Sequence, residues 1–292
     1  MTAGAVPRRA VLRGGLIGVG VLTAAAAGVE TGVLPGRGLL HSLPPGVSST
    51  TPGRVHSGSF VSARRGGVAT GWSVAYPPGV TGAHLPVLVV LHGRGSDHRD
   101  AFGASLHLDR FLAADVRAGG APFAIASVDG GDHSYWHPRR DGDAAGMVVD
   151  EFLPLLAARG LATDRIGLLG WSMGGYGALY LAQTLGAARV AVAVAESPAL
   201  WHHSYQSAAG AFDDAADFDA HDVFARLMHL RGVALRVDCG DRDGFAPITR
   251  DLRAALSPQP AGGIDAGSHD ASFWRSQAAA QLAFVGDNLA RR

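Results

Sequence analysis

The segment "GLLGWSMGGYGALY", residues 167–180, decides the fold because a glycine-rich turn at its centre joins a buried strand to a helix. Gly170, Ser172 and Gly174 fit the pattern Gly-x-Ser-x-Gly, and the apolar run at 165–172 leads directly into it. A strand and a helix that meet at so tight a turn leave no room for a Cβ two positions before or after the serine. The pattern therefore predicts a serine on a strained turn at a strand end. The alternative is an ordinary helix N-cap serine followed by packing glycines.

Short apolar runs alternate with helical patterns on both sides of this segment. Strands are predicted at residues 86–93, 123–130, 165–172, 190–198 and 233–243, with a short last strand at 263–267. Helices are predicted at residues 144–160, 174–185, 247–256 and 272–291, and an antiparallel hairpin at 59–62 and 71–78. Buried strands separated by helices predict the α/β class, a mostly parallel central sheet with helices on both faces. Residues 201–227, between two strands, are predicted to form a small cap.

Composition excludes several classes of function. The 25 acidic and 25 basic residues balance, so binding to nucleic acid through its phosphates is not expected. The single cysteine, Cys239, lies in an apolar strand pattern and has no partner for an intramolecular disulfide. No glycine-rich phosphate loop follows the early strands, so no cofactor is expected.

A nucleophilic serine needs a base, and the base needs an acid that orients it. His269 follows the last short strand in "DAGSHDASFW", where a strand end, a loop and a helix succeed one another. Asp241 and Asp243 lie beyond the preceding strand in "VDCGDRDGFAP", and the local pattern does not choose between them. The chain order of Ser172, acid and His269 is the order of the α/β-hydrolase fold.

The same arrangement predicts two backbone donors for an oxyanion. The N–H of Met173 begins the helix after the serine, where the helix field also favours negative charge. The second donor is expected in "LHGRG", after the first long buried strand, at Arg94 or else at Gly93. The Arg94 side chain is interpreted either as a contact for an anionic or polyol substrate or as a solvated loop residue.

Two further stretches are candidates for the walls of a substrate pocket. "DGGDHSYWHPRRDGD", residues 129–143, leaves a strand end and offers His133 and Trp136, although plain packing is the alternative. His133 and His137 have the spacing of metal ligands on a helix, but this Gly/Pro-rich stretch is not predicted to be helical, so no metal site is expected. Trp201 is the candidate from the cap. The aspartates at 213–222 lack the glycine and glutamate of a calcium loop and are interpreted as a solvated face.

The chain resembles the esterase D branch of the α/β-hydrolases over residues 58–290. The resemblance rests on "GWSMGGYGAL", on "AESP" and on "GSHDASFW", which places Trp274 at the family's tryptophan and suggests a substrate contact there. The family's acid segment, Gly, two residues, Asp, one residue, Phe, is similar to residues 240–245 and implies Asp243 as the acid. "LHGRG" departs from the family's usual loop, which leaves the second oxyanion donor open.

This family includes S-formylglutathione hydrolases, feruloyl and acetylxylan esterases and actinobacterial mycolyltransferases. The resemblance implies a serine esterase that hydrolyses carboxylic esters through Ser172, Asp243 and His269 and an acyl-enzyme. Two alternatives remain: an acyltransferase that passes the acyl group to a sugar hydroxyl, and a catalytically silent binding protein of the cell envelope. The expected partner is a small-molecule, lipid or carbohydrate ester.

The N-terminal residues are predicted to direct export. Arg8 and Arg9 precede an uncharged stretch rich in glycine and alanine, residues 14–29, which is shorter than the ~20 residues that span a bilayer. This pattern is typical of a twin-arginine signal, although an ordinary secretory signal or an uncleaved anchor shares its apolar run. The predicted organisation is an export signal at 1–28, a Pro/Gly-rich linker at 29–57 and an α/β-hydrolase catalytic domain at 58–292. The mature protein is expected outside the cytoplasm, secreted or at the envelope, without stable membrane insertion.

Overall fold

The computed structural model of the chain describes residues 43–80 and 84–291. The predicted export signal and residues 29–42 of the predicted linker lie outside the described residues. Within the described part, no helix is both long and apolar enough to cross a membrane.

The strands form an eight-stranded main sheet and a small two-stranded hairpin. The main sheet has the order β1-β2-β4-β3-β7-β8-β9-β10, and β5 pairs with β6. The strands are β1 (Val55–Ser62), β2 (Val68–Ala75), β3 (Pro86–Leu91), β4 (Ala124–Val128), β5 (Pro138–Arg139), β6 (Gly142–Asp143), β7 (Ala162–Trp171), β8 (Val190–Glu196), β9 (Ala234–Gly240) and β10 (Ile264–Asp265).

The helices fill the connections between these strands. They are α1 (Pro45–Ser48), α2 (Leu108–Arg117), α3 (Ala144–Met147), α4 (Leu153–Ala158), α5 (Met173–Arg189), α6 (Ala215–His221), α7 (Ala246–Ala255) and α8 (Ala271–Leu289). A π-helical segment, Val148–Phe152, joins α3 to α4, and 3₁₀ turns lie at Ser204–Gln206 and Phe224–Leu230.

Strand pairing is parallel from β4 to the β10 edge and antiparallel at the other edge. β1 pairs with β2, and β2 with β4, in antiparallel register. β4, β3, β7, β8, β9 and β10 pair in parallel. Parallel strands bring their carboxyl ends to one edge of a sheet, where ligand sites collect. The carboxyl end of β7, which carries the quoted segment, is at the centre of that edge.

The sheet is covered on both faces, as the unbroken apolar runs predict. Every residue of β4 and β8 is buried. Val87 and Val89 of β3 share a core cluster with Leu179 of α5. A Cβ at Gly167 of β7 would instead lie 3.6 Å from Leu289 of α8, on the opposite face. The α/β fold with a mostly parallel sheet is therefore confirmed.

The differences from the predicted elements are local. The helix predicted at 144–160 is interrupted by its π-helical segment, and α5 begins one residue earlier than predicted, at Met173. The domain boundary predicted at residue 58 falls inside β1, which begins at Val55. β1 is an edge strand with mostly exposed residues and small polar side chains, so its sequence lacks the alternation of apolar residues that marks a half-buried strand.

The segment between β8 and β9 forms the predicted cap. It contains α6 and both 3₁₀ turns, and it packs on the helix that follows the serine. The Tyr176 hydroxyl of α5 donates to the His221 carbonyl at 2.8 Å, and the Gln183 side chain of α5 donates to the Val223 carbonyl at 2.8 Å. The cap is thus attached directly to α5.

Close backbone contact explains the glycines that flank Ser172. A Cβ built at Gly170 would overlap the carbonyl of Gly174, and one built at Gly174 would overlap the carbonyl of Leu91 at the end of β3. The first turn of α5 therefore lies directly against the ends of β3 and β7. Only a residue without a side chain permits this approach.

We expect Gly174→Ala to lower the free energy of unfolding by about 1–3 kcal/mol or more, because the new methyl meets fixed backbone rather than a mobile side chain. Urea unfolding measures the change. Gly286→Ala is the matched control: it also lies in a helix, but its Cβ would meet neighbours at 3.5 Å, an ordinary contact. The control should be neutral or stabilising by up to about 1 kcal/mol. Equal loss in both variants would contradict this account of Gly174.

Candidate active site

Ser172 occupies a strained turn between β7 and α5. Its backbone has φ of 55° and ψ of −118°, a combination rarely adopted by a residue with a side chain. The Ser172 N–H donates to the Glu196 carbonyl at 2.9 Å, and its own carbonyl accepts from the N–H groups of Tyr176 (3.1 Å) and Ala199 (3.0 Å). These backbone bonds from β8 and α5 hold the turn and leave the side chain at the carboxyl edge of the sheet.

His269 lies beside this serine. Its Nε2 is 2.9 Å from Ser172 Oγ, and its Nδ1 is 2.8 Å from Asp243 Oδ2. The histidine sits on the loop between β10 and α8. Asp270, the next residue, fixes that loop, because its side chain caps α8 by accepting from the N–H groups of Ser272 and Phe273. The histidine side chain keeps 32 % of its surface exposed.

The structure distinguishes Asp241 from Asp243, between which the local sequence pattern did not choose. The Asp243 carboxylate is fully buried and accepts from His269 and from the Phe245 N–H at 2.8 Å. The Asp241 side chain is 45 % exposed and accepts from the Gly267 N–H at 3.0 Å. Asp243 therefore faces the imidazole, while Asp241 braces the loop that carries His269.

Hydrogen bonds outweigh burial at Asp243. Burial alone would raise the pKa of this carboxyl, but hydrogen bonds from His269, the Phe245 N–H and the Ser197 hydroxyl lower the pKa below its ordinary value. The group is thus a carboxylate at neutral pH. It can hold the imidazole in one orientation and stabilise its positive charge.

Ser197 is a site residue that sequence reasoning missed. It is fully buried, has φ of 45°, and follows the last residue of β8. Its hydroxyl donates to the Asp243 carboxylate and accepts from Trp274 Nε1 at 3.2 Å. The available signal was a serine at the end of the strand next to the quoted turn, but its contact with Asp243 depends on how β8 and β9 lie side by side.

A buried carboxyl pair lies beneath the turn. Glu196 of β8 stands opposite Asp238 of β9, and both are buried. Arg236 and Gln281 donate to Asp238 Oδ2 at 2.8 and 3.0 Å. Burial, then the charge of Asp238, raises the pKa of Glu196 well above its ordinary value. Both effects favour the neutral form of Glu196, whose backbone carbonyl holds Ser172.

The loop after β3 lies beside the first turn of α5. The Gly130 N–H donates to His92 Nε2 at 2.9 Å, so the proton of the neutral ring is on Nδ1 and is donated to the Gly93 carbonyl at 2.8 Å. Burial lowers the pKa of His92. The loop is thereby pinned, with Gly93 buried against Trp171 and Arg94 exposed. The Arg94 guanidinium contacts the Tyr135 hydroxyl.

Aromatic side chains surround His269. Trp274 meets its ring edge-on at 5.2 Å between centroids, and Phe245 lies at 5.4 Å. Trp201 contacts Phe245 at 5.7 Å and Tyr135 at the same distance. Trp201 and Trp274 are both partly exposed, so the structure places these two predicted substrate contacts at the mouth of the site.

The other two predicted pocket residues lie elsewhere. Trp136 is fully buried, and its Nε1 donates to the His92 carbonyl at 3.1 Å. Its indole fills the space left by Gly130 and Gly177, so it supports the site from the core and cannot touch a substrate. His133 is exposed and lines a separate cavity of about 380 Å³, whose described lining includes none of Ser172, Asp243 and His269.

A further cavity lies away from the candidate site. It has a volume of about 850 Å³, and its lining includes Ala191 of β8 and Ala234 of β9. These residues stand at the amino ends of their strands, at the edge of the sheet opposite Ser172. The candidate site is therefore located by the chemistry of its residues.

The raised pKa of Glu196 predicts a pH dependence of stability. Since its folded pKa is raised, the native state holds a proton that the unfolded chain releases above its ordinary pKa, so the free energy of unfolding falls as pH rises, by at most about 1.4 kcal/mol per pH unit. Glu196→Gln mimics the protonated form and should be more stable relative to wild type at about pH 8 than at about pH 5. Urea unfolding at both values measures this. Asp219→Asn, at an exposed carboxylate, should leave the pH slope unchanged; an equal slope in wild type and Glu196→Gln would show that Glu196 is ionised.

Known structures share this architecture. A ferulic acid esterase superposes with a TM-score of 0.71 at 21 % identity, covering 81 % of this chain and 99 % of its own. An S-formylglutathione hydrolase from Agrobacterium tumefaciens gives 0.68 at 16 % identity, with 83 % and 98 % covered. The fluorophosphonate-binding serine hydrolase F of Staphylococcus aureus gives 0.66 at 19 % identity, with 80 % and 99 % covered. At these identities the likeness shows the fold.

Sequence comparison shows the family. The family described as "Putative esterase" matches residues 67–262, more than half of the chain. A search of curated protein sequences finds no significant match. The matched range contains β2 to β9 and the strained serine turn, and it ends just before the loop that carries His269. The chain therefore belongs to this esterase family and is a carboxylic-ester hydrolase with the α/β-hydrolase fold.

Proposed function

We propose that this enzyme is an exported serine esterase that works through Ser172, His269 and Asp243. The single observation that carries the proposal is the unbroken hydrogen-bonded series of these three side chains, with contacts of 2.9 and 2.8 Å. The series starts at a serine whose backbone is strained, with φ of 55° and ψ of −118°. Strain of this kind is retained where the residue has a chemical task.

The first half of the proposed reaction forms an acyl-enzyme. His269 Nε2 accepts the proton of Ser172 Oγ as the oxygen attacks the ester carbonyl, and Asp243 stabilises the resulting imidazolium. His269 then gives that proton to the leaving alkoxide, which departs as the alcohol, and the acyl group remains on Ser172. The lowered pKa of Asp243 suits this role, because the carboxylate stays ionised throughout.

Two backbone N–H groups are proposed to hold the oxyanion. Met173 is the first residue of α5, so its N–H has no acceptor within the helix and lies where the helix field is positive. Arg94 follows the loop residues that lie against Gly174, which brings its backbone close to the same turn. Fixed donors of this type stabilise the transition state without reorganising.

Water is the proposed acceptor of the acyl group. His269 is open to solvent on one side, so a water molecule can reach Nε2, be deprotonated there and attack the acyl carbonyl. Ser172 leaves with the proton, and the free acid is released. The partly exposed rings of Trp201 and Trp274 offer apolar surface to the rest of a small ester substrate.

We expect Asp243→Asn to lower kcat for p-nitrophenyl acetate by about 10³–10⁴-fold, because an amide can stabilise neither the tautomer nor the charge of His269. Asp241→Asn is the matched control two residues away, and its effect should stay within about tenfold. Circular dichroism verifies that both variants are folded. Comparable losses in the two variants, or a greater loss at Asp241, would remove Asp243 from the proposed mechanism.

We also propose that residues 1–28 are a twin-arginine export signal and residues 29–57 a linker, so that the enzyme acts in the cell envelope or outside the cell. Support comes from Arg8 and Arg9 ahead of an uncharged apolar stretch. In a host with this pathway, replacing both Arg8 and Arg9 by lysine should keep the full chain in the cytoplasm. The control Arg13→Lys should be exported. Export of the double variant at the wild-type level would refute this route.

A further inference from the structure

A second cluster of reactive side chains lies outside the proposed triad. His137 comes from the loop before β5, and Asp217 and His221 come from α6 of the cap, four residues apart on one helix face. Each offers a ligand atom, and these atoms lie within 4.8 Å of one another. His137 Nε2 is 3.3 Å from Asp217 Oδ2, and His221 Nδ1 is 2.9 Å from Asp217 Oδ1.

These separations fit the ligand sphere of a small divalent cation. Zinc binds imidazole nitrogen and carboxylate oxygen at about 2.0–2.2 Å, so neighbouring ligands of a tetrahedral ion stand about 3.3 Å apart. The distance between His137 Nε2 and Asp217 Oδ2 has this value. His221 Nδ1 lies closer, 2.9 Å from Asp217 Oδ1 and 2.8 Å from the Asp217 backbone carbonyl, so a bound ion there would take the place of the Nδ1 hydrogen. Two imidazoles and one carboxylate form a donor set that suits zinc and related transition metals better than it suits calcium or magnesium.

One ring nitrogen of His137 is left without a hydrogen and can face a cation. Its Nδ1 faces the Tyr135 carbonyl at 3.4 Å, and its Nε2 faces the Asp217 carboxylate at 3.3 Å. The side chain is fully buried, so both ring nitrogens are held by their protein neighbours. A neutral ring carries one hydrogen for these two acceptors. An Nδ1–H directed at a backbone carbonyl, with a bare Nε2, is the usual state of a metal-bound histidine.

Aromatic rings close the cluster of His137, Asp217 and His221 on one side, and the other side is open to solvent. Phe212 stacks on His137 at 4.9 Å, and Tyr176 meets it edge-on at 5.9 Å. Asp217 and His221 keep 13 % and 16 % of their side-chain surface exposed, which provides an entry path.

The arginine nearest to Asp217 among the described ion pairs already has other partners. Arg139 lies 4.0 Å from its carboxylate but pairs with Asp213 at 2.9 Å and donates to three backbone carbonyls. Asp217 Oδ2 also accepts from the Asp213 N–H at 2.8 Å, a neutral donor that leaves the negative charge of the carboxylate for a bound ion.

We propose that His137, Asp217 and His221 bind one divalent transition-metal cation of the zinc type, with water in the fourth position. The sequence predicted no metal site because it paired His137 with His133 on one segment, whereas the structure supplies the other ligands from α6. The described cluster of Asp97, His98 and Asp129 does not compete. Its side chains already bind Arg99, the Ser73 hydroxyl and the Gly71 N–H, respectively.

The ion would fasten the cap to the wall of the active site. Tyr135, two residues before His137, contacts Trp201 at the mouth of the site. The Tyr176 hydroxyl of α5 donates to the carbonyl of His221 itself. A bound cation therefore stabilises the cap against both the pocket wall and the helix that follows Ser172, without touching the triad.

The test uses the purified, metal-stripped enzyme and Zn²⁺ alone. We expect equilibrium dialysis to give one zinc per chain and Zn²⁺ at about 100 times Kd to raise Tm by about 5–10 °C. Co²⁺ in its place should give the strong visible bands of a four-coordinate ion. Asp217→Asn and His221→Gln should each weaken zinc binding by about 100-fold or more.

His202→Gln is the control, since His202 is an exposed histidine paired with Asp251. It should bind zinc with the wild-type stoichiometry and affinity. Unchanged binding in both Asp217→Asn and His221→Gln would overturn the proposal, as would an octahedral Co²⁺ spectrum or no binding by the wild type. Because dialysis and spectra do not depend on turnover, failure here is distinct from failure of the proposed esterase mechanism.

Discussion

The backbone contact between the first turn of α5 and the ends of three parallel strands is the constraint on which the rest of the structure depends. Gly170 and Gly174 allow helix and strand to meet without a Cβ between them, and the Ser172 N–H is held by the carbonyl of Glu196 on the neighbouring strand. Residues 173–183 of α5 are buried on every side. Because this helix is enclosed by the close-packed core, the position of the serine hydroxyl is fixed.

The surroundings of this contact shift the pKa values of two carboxyl groups in opposite directions. Asp243 receives hydrogen bonds from His269, Phe245 and Ser197, which lower its pKa, whereas burial beside Asp238 raises the pKa of Glu196. Asp243 faces the imidazole, and Glu196 lies beneath the serine turn. Glu196 ends β8 and Asp243 follows the adjacent β9, so their different environments rather than their position at the sheet edge set their roles.

The sequence predicted the fold and the three side chains of the proposed triad because both depend on local patterns. Unbroken apolar runs indicated buried strands, and the motif at Ser172 joined one of them to a helix. The choice between Asp241 and Asp243 needed family resemblance, because both follow the same strand in the same loop. The structure distinguishes them by burial and by their hydrogen-bond partners.

Local sequence patterns did not predict the contacts between distant segments. Ser197 meets Asp243 only because β8 and β9 are neighbours, and His137 meets Asp217 across eighty positions of chain. Trp136 was predicted at the pocket because it follows a strand end. It turns into the core instead, since Gly177 and Gly130 leave a space that its indole fills.

The most direct test of the proposed mechanism is the turnover of p-nitrophenyl acetate by Ser172→Ala. The account predicts a loss of about a thousandfold or more in kcat, together with loss of labelling by a fluorophosphonate probe that modifies the wild type once, at Ser172. A folded Ser172→Ala enzyme that retained turnover within about tenfold of wild type would contradict it, because the acyl group would then be carried elsewhere or not at all.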